Sequence, residues 1–461
     1  MTIATFIVLS AANLGLITLI IRRRGIASAE GLCLAYLGAA ALSDNIALVF
    51  HYIVSPESLP LGYREFGFRL YPTAVEILGL AILLVALQTS NGHARPIARD
   101  LCDSEFAILR HLGLAVASIG LGLALAGLYF VHAFSSSAFY SALNEFRSQT
   151  LPFGGFWYRG ADIAVFGLAL VLPTLESRRK TLFLTVVVMM LIAFFLRTNK
   201  GGLEEPFIWG AIIMFVYNRS LLKNLLSFKT VAFAILIAFF GIGAKFWILP
   251  HASRSQGPPL TVAQVTANAI AAASLRWGDN GLYRGYCQFI HMLPNNRAQF
   301  RGAKVGVYSL VSWVPRFIYF DKPDHPFRGL GFMIYSDFHS FPDETPAPML
   351  IGSAMADNGF VSLVTYMALA GIFLGFFRRV ATKGSSSIYT HSGYMLFVLF
   401  GGFSAEEGIL GILYTTVLAY AVIAAARLVL FALNLLSVRA PALPITMAPG
   451  NEDLKVSAQP N

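Results

Sequence analysis

Residues 2–24 read TIATFIVLSAANLGLITLIIRRR, an uncharged apolar run that ends in Arg22, Arg23 and Arg24. A helix needs about 20 predominantly apolar residues to cross a bilayer, and clusters of Lys and Arg mark its cytoplasmic end. The run therefore predicts a membrane-spanning helix with its N-terminus outside. Residues 1–10 carry no basic cluster of the kind that begins a signal peptide. We therefore expect this helix to stay in the mature protein.

The composition of the whole chain is that of a membrane protein. Of 461 residues, 56% are hydrophobic and 13% are charged, and the mean hydropathy is +0.65. A soluble protein carries about 25% charged residues, so this chain has too little ionic surface to cover itself in water. A soluble enzyme, a secreted disulfide scaffold and a disordered protein are excluded. The net charge of +10 is interpreted as a topology signal and not as a nucleic-acid signal.

Apolar windows predict an all-α, polytopic integral membrane protein with about eleven transmembrane helices. The outer loop, residues 250–349, separates spans one to eight in residues 1–249 from spans nine to eleven in residues 350–436. The polar tail at 437–461 is expected to be disordered and cytoplasmic. The predicted spans are 2–21, 29–53, 71–89, 107–133, 160–175, 181–197, 206–217, 230–249, 350–377, 388–403 and 408–435.

Basic residues occupy every second gap between these windows, which predicts the N-terminus outside and the C-terminus inside. The basic gaps are too short for a nucleotide-binding domain, and the motif G-x-x-x-x-G-K-S/T is absent. An ATP-driven pump and a transferase using cytosolic nucleotide sugars are therefore excluded, and any chemistry is expected outside. The basic residues of these gaps are Arg22, Arg23, Arg24, Arg95, Arg99, Arg178, Arg179, Lys180, Arg219, Lys223, Lys229, Arg378, Arg379 and Lys383.

The predicted outer segments are also rich in cations, and most of these are arginine. Arginine presents a fixed fork that binds phosphate oxygens in pairs. The hairpin R-T-N-K-G-G at 197–202 adds two glycines, which let backbone N–H groups approach an anion at the start of a helix. We therefore expect a diphosphate site at the outer membrane surface. For any single arginine, a solvated basic surface is the alternative.

The long outer loop contains two stretches with helical spacing of apolar residues, 258–277 and 281–293. The second places Leu282, Tyr286, Phe289 and Ile290 on one face. Both stretches are typical of amphipathic helices that lie on a membrane or cap a cavity. Polar residues also occur inside predicted spans, where they are expensive. We interpret these as packing groups or as part of a substrate path: Asp44, Asn45, His51, Glu76 and Asp162.

The segment P-R-F-I-Y-F-D-K-P at 315–323, followed by a span that opens with D-N-G-F at 357–360, resembles the Wzy-type bacterial polysaccharide polymerases, relatives of the O-antigen ligases. The hairpin at 197–202 is similar in place to an Arg- and Gly-containing hairpin of that superfamily. The resemblance implies a GT-C-like helical fold in the bacterial inner membrane with a large periplasmic loop. The matching residues are Pro315, Arg316, Lys322, Pro323, Asn358, Gly359 and Phe360, with Asn-Gly-Phe in place of the family's Asn-Phe-Gly.

The activity implied by the resemblance is polymerisation of lipid-linked oligosaccharide repeat units at the periplasmic face. The growing glycan is transferred from undecaprenyl diphosphate to the non-reducing end of an incoming lipid-linked unit. The expected partners are the undecaprenyl-diphosphate-linked oligosaccharide and membrane lipid, with a chain-length regulator as a natural further partner and no nucleic acid. The alternatives are an O-antigen ligase that transfers glycan to lipid A-core, a flippase or transporter of lipid-linked sugars, and a non-catalytic envelope scaffold.

The transfer needs cations for the leaving diphosphate. Metal-dependent GT-C enzymes use adjacent acids in an early outer loop, where this chain has only Glu57 and Glu65. We therefore expect metal-independent chemistry without a cofactor, with guanidinium groups in place of the cation. Arg316 is the first choice for that role, and its alternative is an ion pair with Asp321 or Asp324. The further candidates for diphosphate binding are Arg284, Arg159, Arg197, Lys200 and Lys322.

The transfer also needs a base for the attacking hydroxyl. We favour His339, because the ordinary pKa of histidine lies nearest the operating pH. His339 stands between Asp337 and Asp343, and the Asp337 carboxylate would orient the imidazole or act as the base itself. The alternative is a solvent-exposed loop histidine without a catalytic role.

Overall fold

The computed structural model describes residues 2–54, 66–90, 97–130, 154–175, 180–197, 204–220, 281–293, 303–314, 318–323, 326–327, 349–383, 386–404 and 408–439. Within these ranges the protein is helical and forms no strand. The helices are α1 (Thr2–Arg24), α2 (Ala29–Val54), α3 (Phe66–Ser90), α4 (Asp103–Phe130), α5 (Gly154–Val171), α6 (Lys180–Arg197), α7 (Glu204–Tyr217), α8 (Gly281–Met292), α9 (Lys304–Val311), α10 (Met349–Met355), α11 (Phe360–Thr382), α12 (Ile388–Leu399) and α13 (Ile412–Arg439).

Several of these helices can cross a membrane, which makes the chain a helical membrane protein. Their outward surfaces carry exposed apolar side chains, such as Val8, Val85 and Leu428. The count of eleven spans and the GT-C-like arrangement stay predictions, and the window 230–249 lies outside the described residues. By length and composition, five described helices are candidate spans: Ala4–Arg24, Arg69–Ser90, Asp103–Phe130, Phe360–Thr382 and Ile412–Leu433.

Helices α4 and α5 pack with their backbones in contact, because glycines face each other along the seam. A Cβ atom added to Gly120 would lie 2.6 Å from the carbonyl oxygen of Gly160, and one added to Gly113 would lie 2.7 Å from that of Gly167. Without a hydrophobic driving force between helices in lipid, association depends on such close van der Waals packing of small residues. Helices α6 and α7 pack against α5.

Helix α3 packs against both α11 and α1. The ninth predicted span, 350–377, is not one helix, and this prediction was wrong. Helix α10 ends at Met355, and α11 begins at Phe360 after a turn in which Gly359 has a φ of 63°. Glycine adopts this left-handed conformation without steric cost. The mean hydropathy of the window 350–377 is high although the turn sequence Asp-Asn-Gly at 357–359 interrupts the hydrophobic run.

The described helix ends beside the five basic gaps lie together at one end of the helices, which we call the basic face. The Arg378 guanidinium donates to the carbonyl oxygen of Arg24 over 2.7 Å, and Arg99 donates to that of Ser386 over 2.7 Å. The backbone N–H of Arg99 donates to Val216 over 2.9 Å. The Asn218 amide then reaches the carbonyl oxygen of Pro173 over 2.9 Å. The alternation of basic gaps in the sequence thus corresponds to one surface in space.

A buried ion triad joins α2 to the ends of α1 and α11 at the basic face. The Arg24 Nε lies 2.7 Å from Glu30 Oε1, and the Arg378 guanidinium lies 3.3 Å from the same oxygen. All three side chains are buried. The turn before α2 supports the triad, since Gly25 has a φ of 83° and the Ser28 hydroxyl accepts the N–H of Gly31 over 3.0 Å. Charges at such depth are tolerated only when paired.

Candidate functional site

The face opposite the basic face carries the described part of the long loop. Helix α8 packs there against α2, α3 and α10. Tyr286, Phe289 and Ile290 are buried on its inner side, which confirms the predicted helix and these three residues of its apolar face, whereas the side chain of Leu282 lies outside the described atoms. The Tyr286 hydroxyl donates to the carbonyl oxygen of Pro72 over 2.9 Å. This helix therefore caps the ends of the membrane helices.

Charged groups lie beneath this cap at the same end of α3. Glu76 is fully buried one turn beyond Pro72. Burial, reinforced by the charge of Glu76, raises the pKa of Tyr286 well above its ordinary value. The buried Arg69 guanidinium reaches the side-chain oxygen of Asn45 over 3.4 Å. Glu76 and Asn45 are both predicted from the sequence to be packing groups or path residues. In the structure Glu76 lies near Tyr286 of α8, and Asn45 joins α2 to Arg69 of α3.

Arg159, predicted to bind diphosphate, lies at the beginning of α5 and forms an ion pair within its own helix. Its guanidinium lies 3.1 Å from Asp162 Oδ2, and the Asp162 side chain is 1% exposed while that of Arg159 is 27% exposed. Gly160 between them lies in the seam with α4, where a Cβ atom on it would lie 2.8 Å from the carbonyl oxygen of Gly120. An anion bound here would share the guanidinium with Asp162.

Lys322, also predicted to bind diphosphate, folds back onto its own loop. Its ammonium donates to the carbonyl oxygens of Ser312 and Val314 over 2.6 and 2.9 Å, and it lies 6.0 Å from the centre of the Tyr308 ring. These two carbonyl groups follow directly after the end of α9, so Lys322 binds there as a cation does at a helix C-terminus. Its role toward a diphosphate stays a prediction.

The remaining candidates lie outside the described residues or have side chains outside the described atoms. The proposed base His339, its partner Asp337, the first-choice cation Arg316 and Lys200 lie outside the described residues. The backbones of Arg284 and Arg197 belong to α8 and α6, whereas their side chains lie outside the described atoms. Within the described ranges no group of three His, Cys, Asp or Glu could hold a metal ion.

The sequence analysis missed Asp357, which lies at the break between α10 and α11. Its carboxylate accepts the N–H groups of Val305 and Gly306 over 2.9 and 3.0 Å, and the Tyr366 hydroxyl over 2.5 Å. Asp357 is buried. The sequence contained a signal for this role. Asp357 stands directly before an Asn-Gly turn, where its carboxylate can accept N–H groups at the N-terminus of another helix.

The motif D-N-G-F thus has a structural role at the break. Asp357 holds the N-terminus of α9, and the Ser362 hydroxyl accepts the N–H of Asn358 over 3.0 Å and donates to the carbonyl oxygen of Gly359 over 3.0 Å. The turn orders its own backbone and anchors part of the long loop.

Comparisons with protein-family models, curated proteins and solved structures find no match for the chain.

Proposed function

We propose that this protein is a glycosyltransferase that polymerises lipid-linked oligosaccharide repeat units at the outer face of the bacterial inner membrane. The observation that supports this most is the joining of the basic gaps into one surface. If that surface is cytoplasmic, as the positive-inside rule predicts, no space remains there for a domain that binds nucleotide sugars. The sugar donor must then reach the opposite face in lipid-linked form.

The proposed reaction takes place at the opposite face. The long loop begins its return to the membrane there through α8, α9 and the break at Asp357, and Arg159 lies at the same end of the helices. In the proposed step, a hydroxyl oxygen of the incoming unit attacks the anomeric carbon of the growing chain. The bond to undecaprenyl diphosphate breaks, and the diphosphate leaves with the electron pair. His339 accepts the hydroxyl proton, and Arg316 stabilises the charge on the leaving group.

The test uses the full-length protein in detergent with the native lipid-diphosphate-linked repeat unit, and the products are separated on a gel. A ladder is expected for the wild type. The ladder should disappear in Arg316→Ala and His339→Ala. It should persist in Arg254→Ala and His325→Ala, which change the same residue types elsewhere in the loop. Comparing pH–rate profiles of the wild type and Asp337→Asn tests the orienting role, because an unoriented imidazole acts with a different apparent pKa.

The outcomes separate the proposed reaction from its alternatives. Transfer to lipid A-core without a ladder would make the protein a ligase and would overturn the polymerase. A folded protein that turns over neither acceptor, yet moves the lipid-linked unit across vesicle membranes, would be a transporter. A ladder that survives both loop substitutions would leave the polymerase intact and would exclude the assigned site.

A further inference from the structure

Helices α3 and α11 meet at small residues, and an open groove lies on the surface of the pair beside this contact. A Cβ atom on Gly371 would lie 2.6 Å from the Cβ of Ala86 and 3.0 Å from the carbonyl oxygen of Leu83. The groove has a volume of about 420 Å³, within the range of about 300–1,000 Å³ that is typical of small-molecule sites. The residues that line it include Ala81, Ile82, Val85, Thr89, Ala368 and Ile372.

The groove is apolar and opens on the surface of two membrane helices. Among the described residues that line it, Thr89 alone is polar, and its hydroxyl donates to the carbonyl oxygen of Ala86 within α3 over 2.9 Å. On the walls of the groove, Val85 is 60% exposed and Ile372 is 49% exposed. Both helices contain candidate membrane spans, Arg69–Ser90 and Phe360–Thr382. The groove therefore opens toward hydrocarbon and not toward water.

The groove follows the last turns of α3 to the basic face. Ala81 precedes Ser90, the last residue of α3, by nine residues, which is roughly 14 Å of helix. The hydrocarbon core of a bilayer is about 30 Å thick, so one leaflet contributes about 15 Å. Thr89 at the other end of the groove is the neighbour of Ser90. The groove therefore has the length and the direction of an acyl chain in the leaflet at the basic face.

An arginine lies where the groove reaches the basic face. Arg379 is exposed, and its guanidinium donates to the carbonyl oxygen of Ser90. Arg379 follows the lining residue Ile372 by seven residues, which is about two helical turns, so both lie on the same side of α11. A guanidinium carries five N–H donors, and the bond to Ser90 leaves others for an anion. Within the described residues no carboxylate forms an ion pair with Arg379.

We propose that this groove binds one anionic phospholipid from the leaflet at the basic face, with an acyl chain along the groove and the headgroup phosphate on Arg379. A basic residue between membrane helices at a cytoplasmic face is the chemistry that holds anionic headgroups. A second copy of the chain is the less suitable occupant. In the same membrane orientation its own basic face would lie at the level of Arg379, and like charges repel each other. The proposal does not depend on the proposed transferase activity.

The test measures lipid binding to the purified full-length protein by native mass spectrometry. Phosphatidylglycerol and phosphatidylcholine with the same acyl chains are titrated separately, and the wild type should bind phosphatidylglycerol roughly fivefold more tightly, the factor that one cation near the headgroups contributes. Arg379→Gln should abolish this preference, because the amide keeps an N–H donor for Ser90 but carries no charge. Arg110→Gln removes an exposed arginine of α4 and should leave the preference unchanged.

Filling the groove tests the place of the acyl chain. Ala368→Phe adds a ring to one wall, so the affinity for both lipids should fall severalfold. Val85→Phe fills the groove from the other wall and disturbs no buried contact, because Val85 is largely exposed. Ala421→Phe places the same ring on an exposed position of α13 and should leave both affinities unchanged. The unfolding temperature of each variant in lipid-free detergent should equal that of the wild type, since none of them changes a buried side chain.

Three results would overturn the proposal. Equal affinity of the wild type for the two lipids, or a preference for phosphatidylglycerol that survives in Arg379→Gln, would show that Arg379 does not hold the phosphate. Lipid binding that is unchanged in both Ala368→Phe and Val85→Phe would place the acyl chain elsewhere. A dimer mass in the wild type that is lost in Ala368→Phe would identify a second copy of the chain as the occupant of the groove.

Discussion

Replacing Gly120 by alanine tests the backbone contact between α4 and α5. A Cβ atom at this position would lie 2.6 Å from the carbonyl oxygen of Gly160 and 2.8 Å from the Cα of Ala164, and it would also meet the backbone nitrogen of Ala164. Ordinary contact begins at 3.4 Å. All three obstacles are backbone atoms of the facing helix, which no rotamer change can move. The two helices must therefore separate by about 1 Å.

The cost of this separation follows from packing. Overpacking a buried contact costs about 1–3 kcal/mol, and a fixed backbone obstacle belongs at the upper end of that range. A gap of about 1 Å also removes up to half of the dispersion energy of neighbouring contacts along the seam. We therefore expect Gly120→Ala to lower the free energy of unfolding by about 3 kcal/mol. At roughly 2 °C per kcal/mol, the unfolding temperature should fall by about 6 °C.

Gly122→Ala is the matched control on the same helix. A Cβ atom there meets nothing within 4 Å, so the free energy of unfolding should change by no more than about 1 kcal/mol, the difference in helix propensity. Unfolding can be followed in detergent with a fluorogenic maleimide, because Cys33 and Cys287 are buried and Cys102 gives a constant background. Equal unfolding temperatures for Gly120→Ala and Gly122→Ala would refute the backbone contact.

Three further predictions concern the basic face. Glu30→Ala leaves the buried Arg24 and Arg378 guanidiniums without their shared carboxylate, so the unfolding free energy should fall by about 3–5 kcal/mol. Glu105→Ala breaks an ion pair to Arg99 that is partly exposed, so in the same thermal assay it should cost at most about 1 kcal/mol. A larger loss for Glu105→Ala than for Glu30→Ala would contradict this ranking. If the basic face is cytoplasmic, an impermeant maleimide should label exposed Cys102 only after the membrane of intact cells is permeabilised. Labelling without permeabilisation would reverse the orientation.

Hydropathy predicted where helices lie but not where they end. The windows at 2–21 and 107–133 correspond to α1 and α4, since a long apolar run in lipid can satisfy its backbone only as a helix. The same argument fails at 350–377, because a window average does not register the turn at 357–359. The alternation of basic gaps predicted which helix ends share a surface, and the hydrogen bonds of Arg99 and Arg378 place those ends together.

Pairing between helices was not predicted, although the sequence contained a signal for it. Gly113 and Gly120 in α4 are spaced seven apart, as are Gly160 and Gly167 in α5, and this spacing places each pair on one side of its helix. The roles of Asp357 and Lys322 were harder to predict. Asp357 accepts backbone N–H groups that are about 50 residues away in the sequence, and Lys322 binds carbonyl groups that a local turn leaves exposed. His339 and Arg316 stay predictions from residue type and resemblance.

Four charged residues in or beside the membrane helices have structural roles that explain their presence without catalysis. Glu30 holds two arginines, Asp357 holds the beginning of α9, Lys322 holds its end, and Asp162 holds Arg159. Each of these charges is expensive in a low dielectric, and each has an interaction inside the protein that offsets the cost. A catalytic group, in contrast, must present an unshared proton or lone pair to a substrate. Since these four charges are engaged in folding, the proposed reaction places its base, His339, and its principal cation, Arg316, in the long loop and not among them.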